Sequence, residues 1–309
     1  VSRSTNLILV LVTGLGWGLL APANKVTFAG EPAVFNGVSV AAARALWALP
    51  FFVVGAIVAW RLDPPRLLPR QWLAIAGASI VFGPGITVLF PIASQHTSVA
   101  HISFLVGVSP VTNTALAALV FKAGLDLRGR LALALGVAGV ALLALTQRDD
   151  AAALFGDAMM VLWLIAFAIY ACFLRAVGPG INATLLMSIV GSIALVVLSV
   201  PALALGYGGA AARVADTPVL AAWFFGEIVL GSMLVAQTTY AAAVRRLGVA
   251  MATIGSEYFA LAVGVAASIV MHERWNALTA VAGLIFCCAL AVTFVPLPGL
   301  NRAGISKAA

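Results

Sequence analysis

Arg44, His101, Glu227 and Glu257 lie inside long apolar runs, as does the amide of Asn113. At the centre of a bilayer a charge costs at least about 2.5–3.5 kcal/mol on insertion scales, so each must pair, face water or bind something. Arg44 falls about midway along its run and could pair with either glutamate. Such a pair is either structural or half of a site for a ligand carrying both signs of charge, as an amino acid does. Glu227, Glu257 or His101 could instead carry a proton, His101 because imidazole titrates near neutral pH. A hydrogen-bonded interior histidine would need no such role. Thr253, Glu257, Ala260, Gly264 and Ser268 recur at three-to-four spacing and make one polar-to-small helix face. His101, Leu105, Ser109, Thr112 and Asn113 make a comparable stripe. Faces of this kind pack tightly on a neighbour or line water.

The aromatic residues add a second chemistry. Trp17, Phe82, Phe90, Trp163, Tyr240 and Tyr258 sit deep in apolar runs, away from the headgroup level where Trp and Tyr anchor. A deep ring either packs helices or stacks on an aromatic or cationic ligand. Trp17, Trp163 and Tyr258, with Glu257 at similar depth, are expected to line one cavity. Trp60, Trp72 and Trp275 fall at the ends of runs and read as interfacial anchors. Gly83-Pro84-Gly85 interrupts one run near its middle, where proline removes a hydrogen bond and the glycines permit a bend. Irregular backbone at that depth must face protein or a cavity, so these three residues read as a hinge or cavity wall.

Catalytic chemistry is not indicated. The chain has no H-E-x-x-H, no G-x-S-x-G and no cluster of metal ligands, and His272-Glu273 lacks a second histidine. An intramembrane enzyme is therefore disfavoured, no cofactor or metal is expected, and a channel lacks its ring of charge. Cys172, Cys287 and Cys288 lie in apolar runs without C-x-x-C spacing and read as small buried side chains.

The elements that must position these residues follow from composition. Of 309 residues 63% are hydrophobic and 9% charged, against about 25% charged in an average soluble domain. With a mean hydropathy of +1.12, a soluble fold is excluded, and the bilayer becomes the first partner. Spans of roughly 20 residues are needed. Ten can be read, at 5–28, 34–60, 71–95, 98–121, 128–146, 154–177, 182–206, 218–244, 249–271 and 276–297. They are broken by charge or turn chemistry such as Arg61-Leu62-Asp63-Pro64-Pro65-Arg66, Gln147-Arg148-Asp149-Asp150 and Gly178-Pro179-Gly180. Ala21-Pro22-Ala23 mimics a signal-peptide cleavage site, but the apolar run continues to Phe28 and proline is unfavourable there, so the first span is expected to be retained.

Placing the N-terminus in the cytoplasm puts Arg3, Arg61, Arg66, Arg70, Lys122, Arg128, Arg130, Arg175, Arg245, Arg246, Arg302 and Lys307 inside, twelve of the 17 basic residues. Glu31, Asp149, Asp150, Asp157, Asp216 and Glu273 fall outside. The positive-inside rule selects this orientation, with both termini cytoplasmic. It also accounts for most of the net charge of +7 without a nucleic-acid partner.

Sliding the sequence on itself by about 150 residues places Trp17-Gly18 on Phe167-Ala168, Lys25 on Arg175, Phe90 on Tyr240 and Val99-Ala100 on Val249-Ala250. At an offset of about 147, Ser109 falls on Ser256, Asp126 on Glu273 and Gly136 on Gly283. Two five-helix halves, 1–150 and 151–309, are expected. Because five is odd, the second is inverted relative to the first. The expected fold class is thus an all-α membrane protein of ten transmembrane helices in two inverted repeats. Secondary transporters built this way hold substrate near the midplane between the halves and rock around it.

Leu15-Gly16-Trp17-Gly18 with Lys25, Pro32 and Arg44 resembles the opening of the drug/metabolite transporter superfamily. Gly156-Asp157 with Ala168, Tyr170 and Arg175 looks like the start of its second repeat. Ser256-Glu257-Tyr258 with Glu273 and Gly283 resembles the closing EamA pattern, with Tyr258 where proline is usual. Lys122 and Asp126 stand where the first repeat commonly has a glutamate. The resemblance implies a ten-helix inner-membrane exporter of small metabolites, and the chain looks most like YddG-type exporters, whose substrates include aromatic amino acids. A sugar, nucleoside or drug exporter of the same superfamily is the alternative. The site residues expected on this reading are Trp17, Arg44, Phe82, His101, Asn113, Trp163, Tyr240, Glu257 and Tyr258.

Overall fold

The computed structural model describes residues 3–120, 122, 127–178, 181–216 and 218–294. Asp126, Pro179, Gly180, Arg302 and Lys307 lie outside them, as does the end of the tenth expected span. The described residues are helical, with no strand among them. The principal helices are α1 (Arg3–Gly30), α2 (Gly37–Leu62), α3 (Pro69–His96), α4 (Val99–Val120), α5 (Leu127–Thr146), α6 (Ala151–Val177), α7 (Ala183–Ala204), α8 (Pro218–Ala243), α9 (Gly255–Val270) and α10 (Ala277–Phe294). Eight of them, α1 to α8, are long and apolar enough to cross a membrane, which makes the chain a multi-pass membrane protein; the apolar stretches of α9 and α10 are shorter.

Local chemistry sets where the helices begin. Asn36 caps α2, its Oδ1 accepting from the Val38 and Ser39 amides at 3.0 and 2.9 Å. Asp150 accepts from the Ala152 and Ala153 amides at the start of α6, and Asn182 from the Thr184 amide at the start of α7. Each cap satisfies amides that no helical carbonyl can reach. The outward faces of the spans are apolar as well: Val54, Leu73, Val137, Val200 and Leu284 are all more than half exposed. Helices apolar all round belong in lipid.

Helical hydrogen bonding continues from Pro218 through Val270, but the axis reverses. The Tyr240 hydroxyl lies 2.8 Å from the Thr253 hydroxyl, whereas thirteen residues of straight helix would separate them by about 20 Å. Along α1, Gly16 meets Gly231 and Gly30 meets Leu220, an antiparallel order; Gly14 meets Phe259 and Gly18 meets Val263, a parallel one. Residues 218–243 and 255–270 therefore run in opposite directions along α1, as two separate helical segments.

The packing has an internal correspondence. Helix α1 packs on α8 and α9, while α6 packs on α3 and α4. Helices α2 and α7 pair, α5 and α10 pair, and α4 packs along α9. Both α3 and α8 contain π-helical backbone, at Val81–Val88 and Ala222–Ala236. In α3 the wide turn holds Gly83-Pro84-Gly85, so the proline is absorbed by a change of helix type, with the Thr87 hydroxyl donating to the Phe82 carbonyl at 3.0 Å. Gly83 then approaches the Ala194 carbonyl of α7 and Gly85 the Ala166 side chain of α6.

Two expectations about side chains are corrected. Cys287 and Cys288 are exposed on α10 rather than buried, because this helix turns a broad face outward and apolar character alone does not say which face that is. Arg44 sits two turns inside the capped start of α2 rather than at mid-span, because the helix begins at Gly37 and runs to Leu62.

Candidate functional site

Seven of the deep aromatic rings form one connected array. Phe90 of α3 meets Trp163 of α6 edge-on at 5.4 Å, and Trp163 stacks on Phe167 at 5.1 Å with the planes 12° apart. Phe167 also meets Trp17 of α1 at 5.8 Å, and Trp17 meets Tyr240 of α8 at 4.9 Å. Tyr170, within 6.2 Å of Phe167, reaches Phe82 at 5.6 Å. The positions follow from helical spacing: Trp163, Phe167 and Tyr170 share one face of α6 at i, i+4 and i+7. Phe167 is the hub, and the expected site residues omitted it. A signal was present, since it is the residue onto which Trp17 falls at the 150-residue offset.

Beside this array lies a narrow cavity with room for about one water molecule. Its wall comes from both halves of the chain: Trp17 and Leu20 of α1, Arg44 of α2, Ile86 and Phe90 of α3, Val106 of α4, Trp163 and Phe167 of α6, and Ser232 and Gln237 of α8. It is apolar except for a few polar atoms, and those are unsatisfied. Arg44 Nε and Nη1, Trp163 Nε1, Ser232 Oγ and Gln237 Oε1 are buried and without a hydrogen-bond partner among the described residues. The expected ion pair is not formed: no ion pair among the described residues includes Arg44, and the acid whose charge reaches it is Glu227, not Glu257. A buried polar atom without a partner is costly, so such atoms gathered on one cavity mark a place that a ligand or water completes.

The remaining expected residues are distributed elsewhere. Glu257 is fully buried off the cavity wall, near Ser109 of α4 but with both carboxylate oxygens, like Ser109 Oγ, without a hydrogen-bond partner among the described residues. Helices α4 and α9 meet antiparallel, with Ser103 against Gly264 and Gly107 against Leu261; Ser103 and Gly107 lie off the expected α4 stripe, whose His101 turns to Asp157 of α6. A side chain at Gly264 would run into the Ser103 hydroxyl, which is why the α9 stripe is small there. Tyr258 does not join Trp17 and Trp163; it is half-buried beside Cys287 of α10, one residue around the helix from Glu257 and so about 100° away. Asn113 is buried on α4 with both amide atoms unpartnered. His101 is held in a separate cluster, Nδ1 lying 2.9 Å from Asp157 Oδ2 of α6. The Thr97 hydroxyl donates to the other oxygen of Asp157, and Thr146 of α5 lies 3.4 Å from His101 Nε2. This cluster ties α4, α5 and α6 together away from the cavity. Glu273, in the turn before α10, accepts from the Val99 and Ala100 amides at 2.7 and 2.9 Å and so caps α4.

The glycines that let helices approach, the capped turns and the opening Trp17 segment can be set against known proteins. Residues 4–145 match the EamA-like transporter family. That EamA-like segment contains Trp17, Arg44, Phe82, Phe90, His101 and Asn113, whereas Trp163, Phe167, Ser232, Gln237 and Glu257 come from beyond it. No curated protein matches the chain. Twelve chains of solved structures are similar. One, a crystal structure of a protein, superposes with a TM-score of 0.58 at 15% identity, covering 98% of this chain and 100% of its own. At that identity the likeness concerns the fold, which extends past the EamA-like segment to the second half.

Proposed function

We propose that the chain is a small-molecule exporter of the drug/metabolite transporter superfamily, of the YddG type, moving amino acids, aromatic ones included, across the inner membrane by alternating access. The observation that carries this reading is the cavity walled by rings and shared between the two halves. A ring array with a few buried polar atoms suits a ligand with a flat or apolar side chain and a small polar head. Substrate admission requires the rings to part, since the cavity holds little more than a water molecule. A transporter that rocks between inward-open and outward-open arrangements parts such rings on one side at a time and passes through a closed state like this one.

The reading includes ten transmembrane passes in two inverted halves, 1–150 and 151–309. Exchanging α1–α5 with α6–α10 maps the principal helix pairs onto one another: α1 on α8 and α9 becomes α6 on α3 and α4, and the α2–α7, α5–α10 and α4–α9 pairs map onto themselves. Gly139 lies against Phe286, 147 positions on, as the offset requires of a self-paired contact. In this arrangement Gly83, Pro84 and Gly85 act as a hinge, the wide turn of α3 being the backbone most ready to change. Both termini are cytoplasmic, and Glu227, Glu257 or His101 carries the proton if export is proton-driven.

A liposome uptake panel of radiolabelled amino acids, sugars and nucleosides, with and without a proton gradient, tests this. Saturable uptake of phenylalanine and tryptophan is expected. Uptake confined to sugars or nucleosides would move the chain to another branch of the superfamily, and uptake of nothing in the panel would end the amino acid reading.

A further inference from the structure

We propose that the cavity binds the substrate by a carboxylate, with Arg44 as the anchor and Trp163 and Ser232 as supporting donors; this rests on the exporter reading. The unsatisfied atoms on the cavity wall are not a random set. Arg44 Nε and Nη1 and Trp163 Nε1 are donors only, and the Ser232 hydroxyl can donate. Arg44 is 3% exposed, Trp163 7% and Ser232 1%. They come from α2, α6 and α8 and line the same space. Unpartnered donors on three residues that line one apolar cavity call for a ligand atom group that only accepts.

Charge narrows the class further. The Arg44 guanidinium is buried, and Glu227 lies beyond ion-pair distance, so its charge is only partly compensated. A carboxylate entering the cavity completes the pair and accepts a charge-assisted hydrogen bond from the guanidinium. A neutral acceptor would satisfy the hydrogen bonds and leave the charge. On the same wall Gln237 Oε1 is an unpartnered acceptor, 4% exposed at the residue level, and suits the ammonium of an α-amino acid. Glu257 does not take this role, since it is not on the cavity wall. The ring array beside these groups receives the side chain. The ligand class is therefore an aromatic or apolar α-amino acid recognised chiefly by its acid, and the site excludes amines of the same shape that lack one. A site with buried donors rejects a ligand that leaves them unpaired far more strongly than it rejects a change of apolar size.

Competition against radiolabelled phenylalanine uptake in liposomes holding the full chain tests this, with three competitors: 3-phenylpropionate, which keeps only the acid, and phenethylamine and phenylalaninamide, which lack it. Phenylpropionate is expected to compete, and the two amines to be weaker by about 10- to 100-fold, the loss that follows from removing a charge-assisted hydrogen bond. Arg44→Gln should erase that preference and Arg44→Lys should retain part of it. Should Arg44→Gln not fold, the competitor series on the parent protein together with Ser232→Ala still decides, the latter narrowing the gap between acid and amine. Phenethylamine competing as well as phenylpropionate, with phenylalanine still transported, overturns the anchor and leaves the exporter standing. No phenylalanine uptake by the parent overturns both.

Discussion

Replacing Glu273 should weaken the joint between the α9–α10 turn and α4. The carboxylate accepts two backbone hydrogen bonds, from Val99 at 2.7 Å and Ala100 at 2.9 Å, while Ser98 Oγ serves the His101 amide at 3.2 Å. These partners satisfy the first amides of α4, which have no helical acceptor. Hydrogen bonds to a charged acceptor contribute about 1.5–3 kcal/mol each, and an anion at a helix N-terminus a further 0.3–1 kcal/mol. Glu273 is partly exposed, so water recovers some of this loss. Glu273→Gln keeps one acceptor and loses the charge, costing about 2 kcal/mol; Glu273→Ala loses both bonds, costing about 3–4 kcal/mol. The assay is thermal unfolding in detergent with amide hydrogen exchange at residues 99–101. Unfolding should come several degrees lower for Ala than for Gln, and protection of the Val99 and Ala100 amides should fall in the same order. Unchanged protection at these amides in Glu273→Ala would refute the cap and its magnitude.

Other outcomes follow from the same structure. His101→Ala leaves Asp157 buried with only Thr97 as partner and should destabilise by about 3 kcal/mol, read as a lower melting temperature with Asp157→Asn recovering part of the loss in the double variant. Gly264→Val places a side chain where the Ser103 hydroxyl sits and should cost about 1–3 kcal/mol, with Ser103→Ala relieving it. On a cysteine-free background, a cysteine at Asp63 should be protected from an impermeant reagent added outside and one at Asp149 should react; the reverse would overturn the orientation.

Much of the fold was legible because hydropathy is a one-dimensional signal. The apolar runs fall within a few residues of the helices, whose starts the caps at Asn36, Asp150 and Asn182 then set. The self-comparison at about 150 residues also pointed to Phe167 opposite Trp17. What hydropathy does not encode is the azimuth of a face on an all-apolar helix. Tyr258 and Cys287 are as apolar in context as Trp163, yet they turn away from the array. Arg44 was legible as a residue needing a partner, but a span gives no distance across the bundle, and the glutamate whose charge reaches it is Glu227. The partner of His101 was hidden for the same reason: Asp157 is 56 positions away on another helix and reads as a charge near a span end. The close approaches at Gly83 and Gly85 depend on π-helical backbone, which substitutes for the sharp kink that proline in a regular helix would produce.

The ring-walled cavity as the substrate path is tested most directly by Trp163→Ala in liposomes, comparing initial uptake of tryptophan and of threonine in the same preparation. Trp163 stacks on Phe167 and meets Phe90, and each aromatic contact a ligand makes in this array is worth about 0.5–1.5 kcal/mol beyond its buried area. The ratio of tryptophan to threonine uptake should fall about 3- to 10-fold while expression and melting temperature allow both to be measured. An unchanged ratio, with both substrates moving at the parent rate, would contradict the cavity as the path.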